Sequence, residues 1–329
     1  MNIENTLDHL RRRLKMLSRG RVVVNLTMPG VPALSIKQNC FDTISQQFSK
    51  FTWSFCNTEQ VFKEQIIDAD IILCWTFKAN DYELAPKLQA IFTPAAGREW
   101  IAEDPAGKVH IFHSHFHGTL MAESLLGMIS YFNNSFSAAI AFQKNKIWGR
   151  ESIPQRIMLQ GQHIIIVGYG SIGKKCAEVL IRNGCSVTGV KRDPEYDSDP
   201  DNGSALIPFD KLTAYLSTAD HVVLILPDNQ STTAIITREH IQAMKSSAVL
   251  HNIGRGNCLA DKDLSWALKN GMIKGAALDV FETEPLPATS TLWEYDNVLI
   301  TPHSTCFYDE YGHLFASEIE AVLTGVTQI

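Results

Sequence analysis

The 329-residue sequence lacks the features that mark several specialised classes of protein. It has no low-complexity tract, and with 45% hydrophobic and 19% charged residues its composition is that of a folded globular protein. Its formal charge of -6 leaves no general basic excess, which argues against a nucleic-acid-binding surface. The length allows two domains of ordinary size, each with its own core.

Closely paired cysteines are also missing. The seven cysteines form no CxxC pair, and their spacing suits neither a disulfide framework nor a zinc cluster. We therefore expect reduced, mostly buried thiols in a cytoplasmic protein.

No stretch of the sequence reads as a secretory signal or a membrane span. Residues 1–19 are charged throughout, and leucines at helical spacing predict a short amphipathic helix there: Leu7, Leu10, Leu14 and Leu17. The one membrane candidate, 125–142, contains Asn133, Asn134 and several serines, which favours a buried or subunit-facing helix. We also expect no added C-terminal regulatory domain.

Near-continuous apolar runs alternate with helical stretches along the chain. This pattern predicts parallel sheets covered on both faces, so the fold class is α/β with two doubly wound domains. The first unit has predicted strands at 21–27, 69–77, 88–93 and 109–113, and it ends near Gly118, where a helix begins that runs to about Asn145. The second unit has predicted strands at 163–167, 186–191, 221–226, 248–253, 275–280 and 298–301, with helices at 171–183, 238–245 and 261–270.

The stretch at 163–173, HIIIVGYGSIG, joins a buried strand to a helix through three glycines. Gly168 permits a tight turn, Gly170 lets a pyrophosphate approach the backbone, and Gly173 lets helix and strand pack closely. Such a turn leaves the N–H groups of the helix N-terminus open to an anion. It therefore predicts dinucleotide binding; the alternative is a glycine turn without a ligand.

Three polar residues follow predicted strands of the second unit: Arg255, Glu284 and His303. They are separated by about one strand and one connection each, so we expect them to meet in one crevice. Arginine can hold a carboxylate with two hydrogen bonds, and histidine exchanges protons near neutral pH. A carboxylate beside a histidine orients the ring and favours its charged form. Each residue alone also has an ordinary structural explanation.

The motifs GYGSIG, NIGRG, LDVFETEPLP and TPHS, in this order and spacing, resemble the D-isomer-specific 2-hydroxyacid dehydrogenase family. The resemblance implies that His303 is the general acid/base, Glu284 its partner and Arg255 the substrate anchor. It implies a Rossmann cofactor domain, 118–302, inserted in a discontinuous flavodoxin-like substrate domain, 1–117 and 303–329. The implied reaction reduces a 2-keto acid to a D-2-hydroxy acid with NAD(P)H, and His303 supplies the proton.

The resemblance also implies a set of cofactor contacts. Asp279 would meet the nicotinamide carboxamide, and the loop that contains Leu226, Pro227 and Thr232 would lie beside the cofactor. The remaining implied contacts are Gly168, Gly170, Ser171, Ile172, Gly173 and Ile253.

The end of the second strand of this unit bears on cofactor choice. An NAD-preferring protein places an acid there, where this chain has Lys191 and Arg192. Two cations suit the 2′-phosphate of NADP(H), so we favour NADP(H) over NAD(H). Asp193 is the counter-argument, because it lies at the distance that the general NAD rule gives; as an alternative, it is a turn residue before Pro194.

The first unit departs from the family's pattern and leaves the substrate open. Backbone N–H groups near Ala96 and Gly97 are expected to hold the substrate carboxylate, but Arg98 and Glu99 change the local charge. Trp75 resembles an aromatic that lies near the substrate in some glyoxylate-reducing members.

Alternating histidines at His113, His115 and His117 would share one face if the strand continued through them, and could then hold a metal. No acidic partner is nearby and the reaction needs no metal, so we predict none and assign them a cleft-lining or structural role.

The sequence thus predicts a cytoplasmic, NADP(H)-preferring 2-ketoacid reductase that acts on small molecules and binds neither nucleic acid nor membrane. The resemblance and the apolar helix after Gly118 both favour a homodimer. Two alternatives stay open: an NAD-linked dehydrogenase of a phosphorylated or bulkier hydroxy acid, and a non-catalytic NAD(P)H-sensing protein resembling the family's corepressor branch.

Overall fold

A computed structural model describes residues 19–324 of the chain. These residues form two compact units: the described parts of Met1–His117 and Phe307–Ile329 make the first, and Gly118–Cys306 makes the second. The amphipathic helix that we predict around residues 7–17 lies outside the described part of the chain.

The described residues contain twelve strands and ten α-helices. The strands are β1 (Gly20–Asn25), β2 (Phe51–Phe55), β3 (Ile71–Cys74), β4 (Ala90–Thr93), β5 (His110–His113), β6 (His163–Val167), β7 (Ser186–Lys191), β8 (Ala205–Pro208), β9 (His221–Leu224), β10 (Val249–Asn252), β11 (Gly275–Leu278) and β12 (Val298–Ile300). The helices are α1 (Asp42–Gln47), α2 (Glu59–Gln65), α3 (Asp81–Leu84), α4 (His117–Asn133), α5 (Phe136–Lys144), α6 (Ser171–Arg182), α7 (Leu212–Leu216), α8 (Arg238–Ala243), α9 (Asp261–Lys269) and α10 (Tyr311–Thr324).

Each unit is built on one parallel sheet. The first has the strand order β2-β1-β3-β4-β5, which is the flavodoxin-like doubly wound order. The second has the order β12-β11-β10-β9-β6-β7-β8, a Rossmann order with one additional strand. The prediction of two doubly wound α/β domains is confirmed. Because the strand order reverses between β6 and β9, a ligand is expected at the carboxyl ends of these two strands.

Hydrophobic clusters cover both faces of the second sheet. Ile165 and Val167 of β6 pack in one cluster, and Ile164 and Ile166 pack in a separate cluster on the opposite face. Successive residues of a strand face opposite sides, so a uniformly apolar strand fits between two layers of helices. This arrangement explains the apolar run that precedes the glycine turn.

The C-terminal helix α10 belongs to the first unit and packs on its core. Phe315 meets Phe41 edge-on, with 6.2 Å between the ring centroids. The hydroxyl of Tyr311 donates to the carbonyl of Pro94 at 3.0 Å. The last described helix, α10, therefore packs on the unit whose sheet is formed by the N-terminal part of the chain.

Strands β2 and β8 are not anticipated by the apolar pattern. Both lie at the edges of their sheets, where a strand has a neighbour on one side only. In β2 only Phe51 is buried, and in β8 only Leu206 and Ile207 are. A partly solvated edge strand needs no continuous apolar run, so its sequence gives a weaker signal.

The prediction of one helix from Gly118 to about Asn145 is wrong, because the chain forms α4 and α5 with a break between them. Ser135 has a φ of 53°, the left-handed conformation that ends a helix. The side-chain amide of Asn133 donates to Gln162 at 2.8 Å, and that of Asn134 donates back to the carbonyl of Ser130 at 3.0 Å. Asparagine and serine compete with helical hydrogen bonds in this way.

Every helix in residues 19–324 is too short or too polar to span a bilayer.

Candidate active site

The turn between β6 and α6 is shaped by three glycines with different constraints. Gly168 has a φ of +101°, and a Cβ there would lie 2.2 Å from the carbonyl oxygen of Ile225. A Cβ at Gly173 would lie 2.4 Å from the carbonyl oxygen of Gly168, whereas one at Gly170 would meet no protein atom within 4 Å. The turn therefore brings strand and helix together and leaves open space at Gly170, where α6 begins. This cradle fits a dinucleotide pyrophosphate.

The end of β7 lies directly beside the glycine turn. The N–H group of Gly168 donates to the carbonyl of Val190 at 3.1 Å, and Lys191 is the last residue of the strand. Arg192 follows, and its Nη2 donates to the Oγ of Ser231 at 3.0 Å. Both cations are exposed. The structure thus brings the two predicted cations next to the turn.

Ser231 was not among the predicted site residues. It lies in the loop after β9, where its N–H group donates to the Oδ1 of Asn229 at 2.9 Å. Thr232 lies in the same loop and is 5% exposed, and its hydroxyl donates to the carbonyl of Pro227 at 2.6 Å, closing the loop on itself. The predicted place of this loop beside a cofactor stays a prediction. An Asn-x-Ser sequence favours a side-chain-closed turn, and this is the signal that could have found Ser231.

The segment after β10 passes tightly between two neighbours. A Cβ at Gly254 would lie 2.6 Å from the backbone nitrogen of Leu226, and one at Gly256 would lie 1.9 Å from the carbonyl oxygen of Phe281. This close approach fixes Arg255, whose Nη1 donates to the carbonyl of Gly254 at 2.9 Å. Ile253 is 2% exposed and packs in the core, and its predicted contact with a cofactor stays a prediction.

Glu284 and His303 form a hydrogen-bonded pair, with 2.8 Å between Oε2 and Nδ1. The other carboxylate oxygen of Glu284 accepts the N–H group of Phe281 at 3.0 Å. With Nδ1 engaged, Nε2 of His303 is the ring nitrogen left for another partner, and the side chain is 45% exposed. A histidine held by a carboxylate through one nitrogen is suited to proton transfer at the other.

Arg255 acts on this pair through its charge. Burial raises the pKa of Glu284, but the hydrogen bonds from His303 and Phe281 and the charges of His303 and Arg255 lower it by more. The pKa of Glu284 therefore lies below its ordinary value, and the group is a carboxylate at neutral pH. All three residues lie in the second unit, because the boundary between the units falls after Cys306 and not after residue 302.

Asp279 supports the segment that carries His303. Its carboxylate is 0% exposed and accepts four hydrogen bonds: two at Oδ1, from the Thr301 hydroxyl at 2.6 Å and the Ser304 N–H at 2.8 Å, and two at Oδ2, both from Thr305. A carboxylate has about four acceptor positions, so all of them are used here. The predicted contact of Asp279 with a nicotinamide carboxamide stays a prediction, since the protein itself occupies these positions.

The predicted substrate residues of the first unit differ in exposure. Trp75 is 6% exposed, donates from Nε1 to the carbonyl of Leu26 at 3.3 Å and stacks on Tyr311, as expected of a core residue. Ala96 is exposed and Gly97 is half-buried, so the backbone of this turn is accessible.

The three alternating histidines have unlike surroundings. Strand β5 ends at His113 and helix α4 begins at His117, so strand alternation does not continue through them. His115 is exposed, whereas His117 is buried and bonds through Nε2 to the hydroxyl of Tyr311 at 2.9 Å. Burial and the charge of Arg98 lower the pKa of His113. No group of His, Cys, Asp and Glu in residues 19–324 is arranged to hold a metal ion.

Comparison with known proteins places this arrangement in a family. The family model described as D-isomer specific 2-hydroxyacid dehydrogenase, NAD binding domain, matches residues 126–305. A glyoxylate reductase from Thermofilum pendens is 31% identical over 322 residues, which cover 94% of this chain and 93% of the relative. The chain belongs to the D-isomer-specific 2-hydroxyacid dehydrogenase family. The family and the enzyme class predicted from the sequence, an NAD(P)-dependent D-2-hydroxyacid dehydrogenase, are thus confirmed.

Two further proteins are similar to this chain. A D-3-phosphoglycerate dehydrogenase from Methanocaldococcus jannaschii is 30% identical over 82% of this chain and 52% of its own length. The NADPH-dependent glyoxylate/hydroxypyruvate reductase from Sinorhizobium meliloti, solved with NADP and sulfate, has a TM-score of 0.74 at 22% identity, covering 94% of this chain and 96% of that one. At this identity, the second comparison supports the shared fold alone.

Proposed function

We propose that this enzyme reduces a small 2-keto acid to the D-2-hydroxy acid and prefers NADPH as reductant. The observation that carries the proposal is the hydrogen-bonded pair of His303 and Glu284, within reach of the charge of Arg255. The pair lies in the same unit as the glycine turn. Proton donor, carboxylate partner and fixed cation are the groups that reduction of a keto acid requires.

The cofactor would be held by the turn residues Gly168, Gly170 and Gly173, with the N–H groups at Ser171 and Ile172 facing the pyrophosphate. When bound, the reduced nicotinamide supplies a hydride to the substrate carbonyl. The domain roles follow: Gly118–Cys306 is proposed as the cofactor domain and the first unit as the substrate domain.

The preference for NADPH is supported by the end of β7. Lys191 and Arg192 are exposed beside the turn, and no acid precedes them where it would repel a phosphate. The hydrogen bond from Arg192 to Ser231 holds the guanidinium close to the cofactor loop after β9. Arginine binds phosphate through paired hydrogen bonds. Asp193 is exposed one residue further on and is the residue that would favour NADH instead.

The proton for the substrate oxygen comes from Nε2 of His303 in this proposal. Because Glu284 is ionised at neutral pH, it accepts a hydrogen bond from the Nδ1–H group of the ring and orients the imidazole. Charge that develops on the substrate oxygen is then countered by the imidazolium and by Arg255.

Arg255 also anchors the substrate carboxylate in this proposal, and the accessible backbone at Ala96 and Gly97 contributes N–H groups. Trp75 would act by shaping the wall behind these groups, since it is almost fully buried.

A homodimer in the cytoplasm completes the proposal. Apolar side chains are exposed along α5 and the segment after it, among them Ile140 at 55% and Trp148 at 90%. Several large apolar side chains exposed in one stretch of chain favour a subunit interface. All seven cysteines are free thiols, as in proteins of reducing compartments. Light scattering on the wild type and on Trp148→Ser tests the dimer.

The function is tested by an initial-rate panel. Glyoxylate, hydroxypyruvate, pyruvate, and branched and aromatic keto acids are each assayed with NADPH and with NADH. We expect turnover with at least one small keto acid and a higher kcat/KM with NADPH. Binding of NADPH without turnover of any keto acid would favour a cofactor-sensing protein, and a preference for NADH would overturn the cofactor assignment.

A further inference from the structure

A cavity lies at the amino ends of the strands of the second sheet, at the edge opposite to the glycine turn. Its volume is about 380 Å³, and its lining includes residues that begin or precede central strands, such as Gln162, His221, Val249 and Lys274. A cavity of this size can hold a small molecule, and its lining combines polar groups with apolar side chains. Nothing in the proposed reaction uses it.

Lys274 gives this cavity an uncompensated positive charge. The side chain is half-buried, and its Nζ donates to the carbonyl of Phe132 at 3.4 Å. No carboxylate among residues 19–324 forms an ion pair with it, and burial lowers its pKa. Asp220 also lines the cavity, but its carboxylate already accepts Lys245 at 2.8 Å and the N–H group of His163 at 2.9 Å.

His221 adds an unsatisfied polar atom to the same cavity. It is 1% exposed, and its Nδ1 lies 2.9 Å from Nε2 of His251, which is also buried. Nε2 of His221 and Nδ1 of His251 have no hydrogen-bond partner among the described residues. A neutral pair shares one proton between the facing nitrogens. One outer nitrogen is therefore a buried donor without a partner, and the other is an acceptor.

A ligand with acceptor atoms in the cavity would give the donor nitrogen of this histidine pair a hydrogen-bond partner. It would select the tautomer in which His221 carries its proton on Nε2, in the cavity that Lys274 also lines. The orphan atom left at His251 would then be an acceptor nitrogen. Orphaned acceptors are less unusual in proteins than orphaned N–H donors.

We propose that the cavity binds a small monocarboxylate with an apolar body. One ammonium group without an acidic partner matches one negative charge, and two donors match the two oxygens of a carboxylate. The walls contributed by Ile157, Met158 and Val249 suit the apolar part. The amide groups of Asn133 and Gln162, hydrogen-bonded to each other, complete the polar end.

The test uses benzoate as the probe, since it is a monocarboxylate but no keto acid. Benzoate is titrated calorimetrically into the full chain saturated with NADPH. We expect saturable binding to the wild type, and binding roughly 10- to 100-fold weaker to Lys274→Met, the loss expected for a hydrogen bond to a charged group. Lys269→Met removes an exposed lysine that does not line the cavity and should bind like the wild type. No binding, or equal affinity in Lys274→Met, would overturn the proposal.

A second readout needs no variant. In nitrogen–proton correlation spectra of the histidine-labelled wild type, saturation with benzoate should place the proton of His221 on Nε2. Benzoate that binds without changing the signals of His221 would show that it occupies another site. This measurement decides the matter if Lys274→Met does not fold.

Discussion

The N–H group of His303 donates to the backbone carbonyl of Asp279 at 2.8 Å, while the Asp279 carboxylate holds the residues on both sides of His303. His303 has a φ of 52°, a conformation that non-glycine residues adopt only when their surroundings enforce it. The buried carboxylate therefore sets the backbone from which the imidazole reaches Glu284. The hydrogen bonds that fill the acceptor positions of Asp279 thus hold His303 in its left-handed backbone conformation.

Asp279→Asn should weaken this arrangement, because an amide nitrogen would face donors that now meet a carboxylate oxygen. We expect a loss of about 2–3 kcal/mol in the free energy of unfolding, measured with urea. Turnover should fall as well. Asp296→Asn, at an exposed position, is the control and should match the wild type. Wild-type stability in Asp279→Asn would show that the four hydrogen bonds do not support the segment.

Glu284→Gln keeps the size of the side chain but removes the charge beside His303. The imidazole loses the carboxylate that accepts its Nδ1–H and orients the ring, so proton transfer at Nε2 should be slower. kcat at neutral pH should fall, while the Kd for NADPH should stay near the wild-type value. An unchanged kcat would separate Glu284 from the proton-transfer step.

Arg192→Ala should raise the KM for NADPH roughly 10- to 100-fold and leave that for NADH nearly unchanged, because only NADPH carries the 2′-phosphate. Ser231→Ala should produce a smaller change in the same direction, since it releases the guanidinium rather than removing it. Lys211→Ala, at an exposed position in another loop, controls for a general loss of positive charge. Equal losses for both cofactors in Arg192→Ala would contradict the phosphate assignment.

The buried pair of His221 and His251 makes stability depend on pH. Burial lowers the pKa of His221 from 6.5 to about 4 and lowers that of His251 as well. Between pH 6.5 and about pH 4, these histidines bind protons in the unfolded chain but stay neutral in the folded chain. Their contribution to the free energy of unfolding is therefore complete above pH 6.5 and is lost as the pH falls toward 4. The slope should reach about 1.4 kcal/mol per pH unit for each histidine.

This pH dependence is measured by urea unfolding at several pH values. The double variant His221→Leu/His251→Leu removes both titrating groups and should flatten the curve in the same pH range. Carboxylates with a lowered pKa, such as Asp199 and Asp220, titrate further toward acid and remain in the variant as an internal reference. The same slope in the variant and the wild type would assign the effect to other groups.

The local sequence predicts those parts of the fold that depend on a single local requirement, such as a glycine in a tight turn or apolar side chains in a buried strand. The glycine turn, the apolar strands and the order of Arg255, Glu284 and His303 along the chain belong to this class. Apolar periodicity does not predict the break at Ser135 or the hydrogen bond that joins Asn133 to Gln162 beyond it. The local sequence pattern does not predict hydrogen bonds between segments that are distant along the chain.

The candidate site shows the same division. The pairing of Glu284 with His303 follows from topology, since parallel strands end at one edge of a sheet. The contact of Arg192 with Ser231 joins two loops, and the four hydrogen bonds of Asp279 depend on how the segment after β12 folds back. The residues that form these interactions have no sequence pattern that distinguishes them from other polar residues.

The most direct test of the account compares turnover with cofactor binding in His303→Ala. If His303 supplies the proton to the substrate oxygen, kcat should fall by roughly 10²- to 10⁴-fold, the usual contribution of a general acid, while the Kd for NADPH changes little. A variant that reduces the keto acid at the wild-type rate would contradict the central claim.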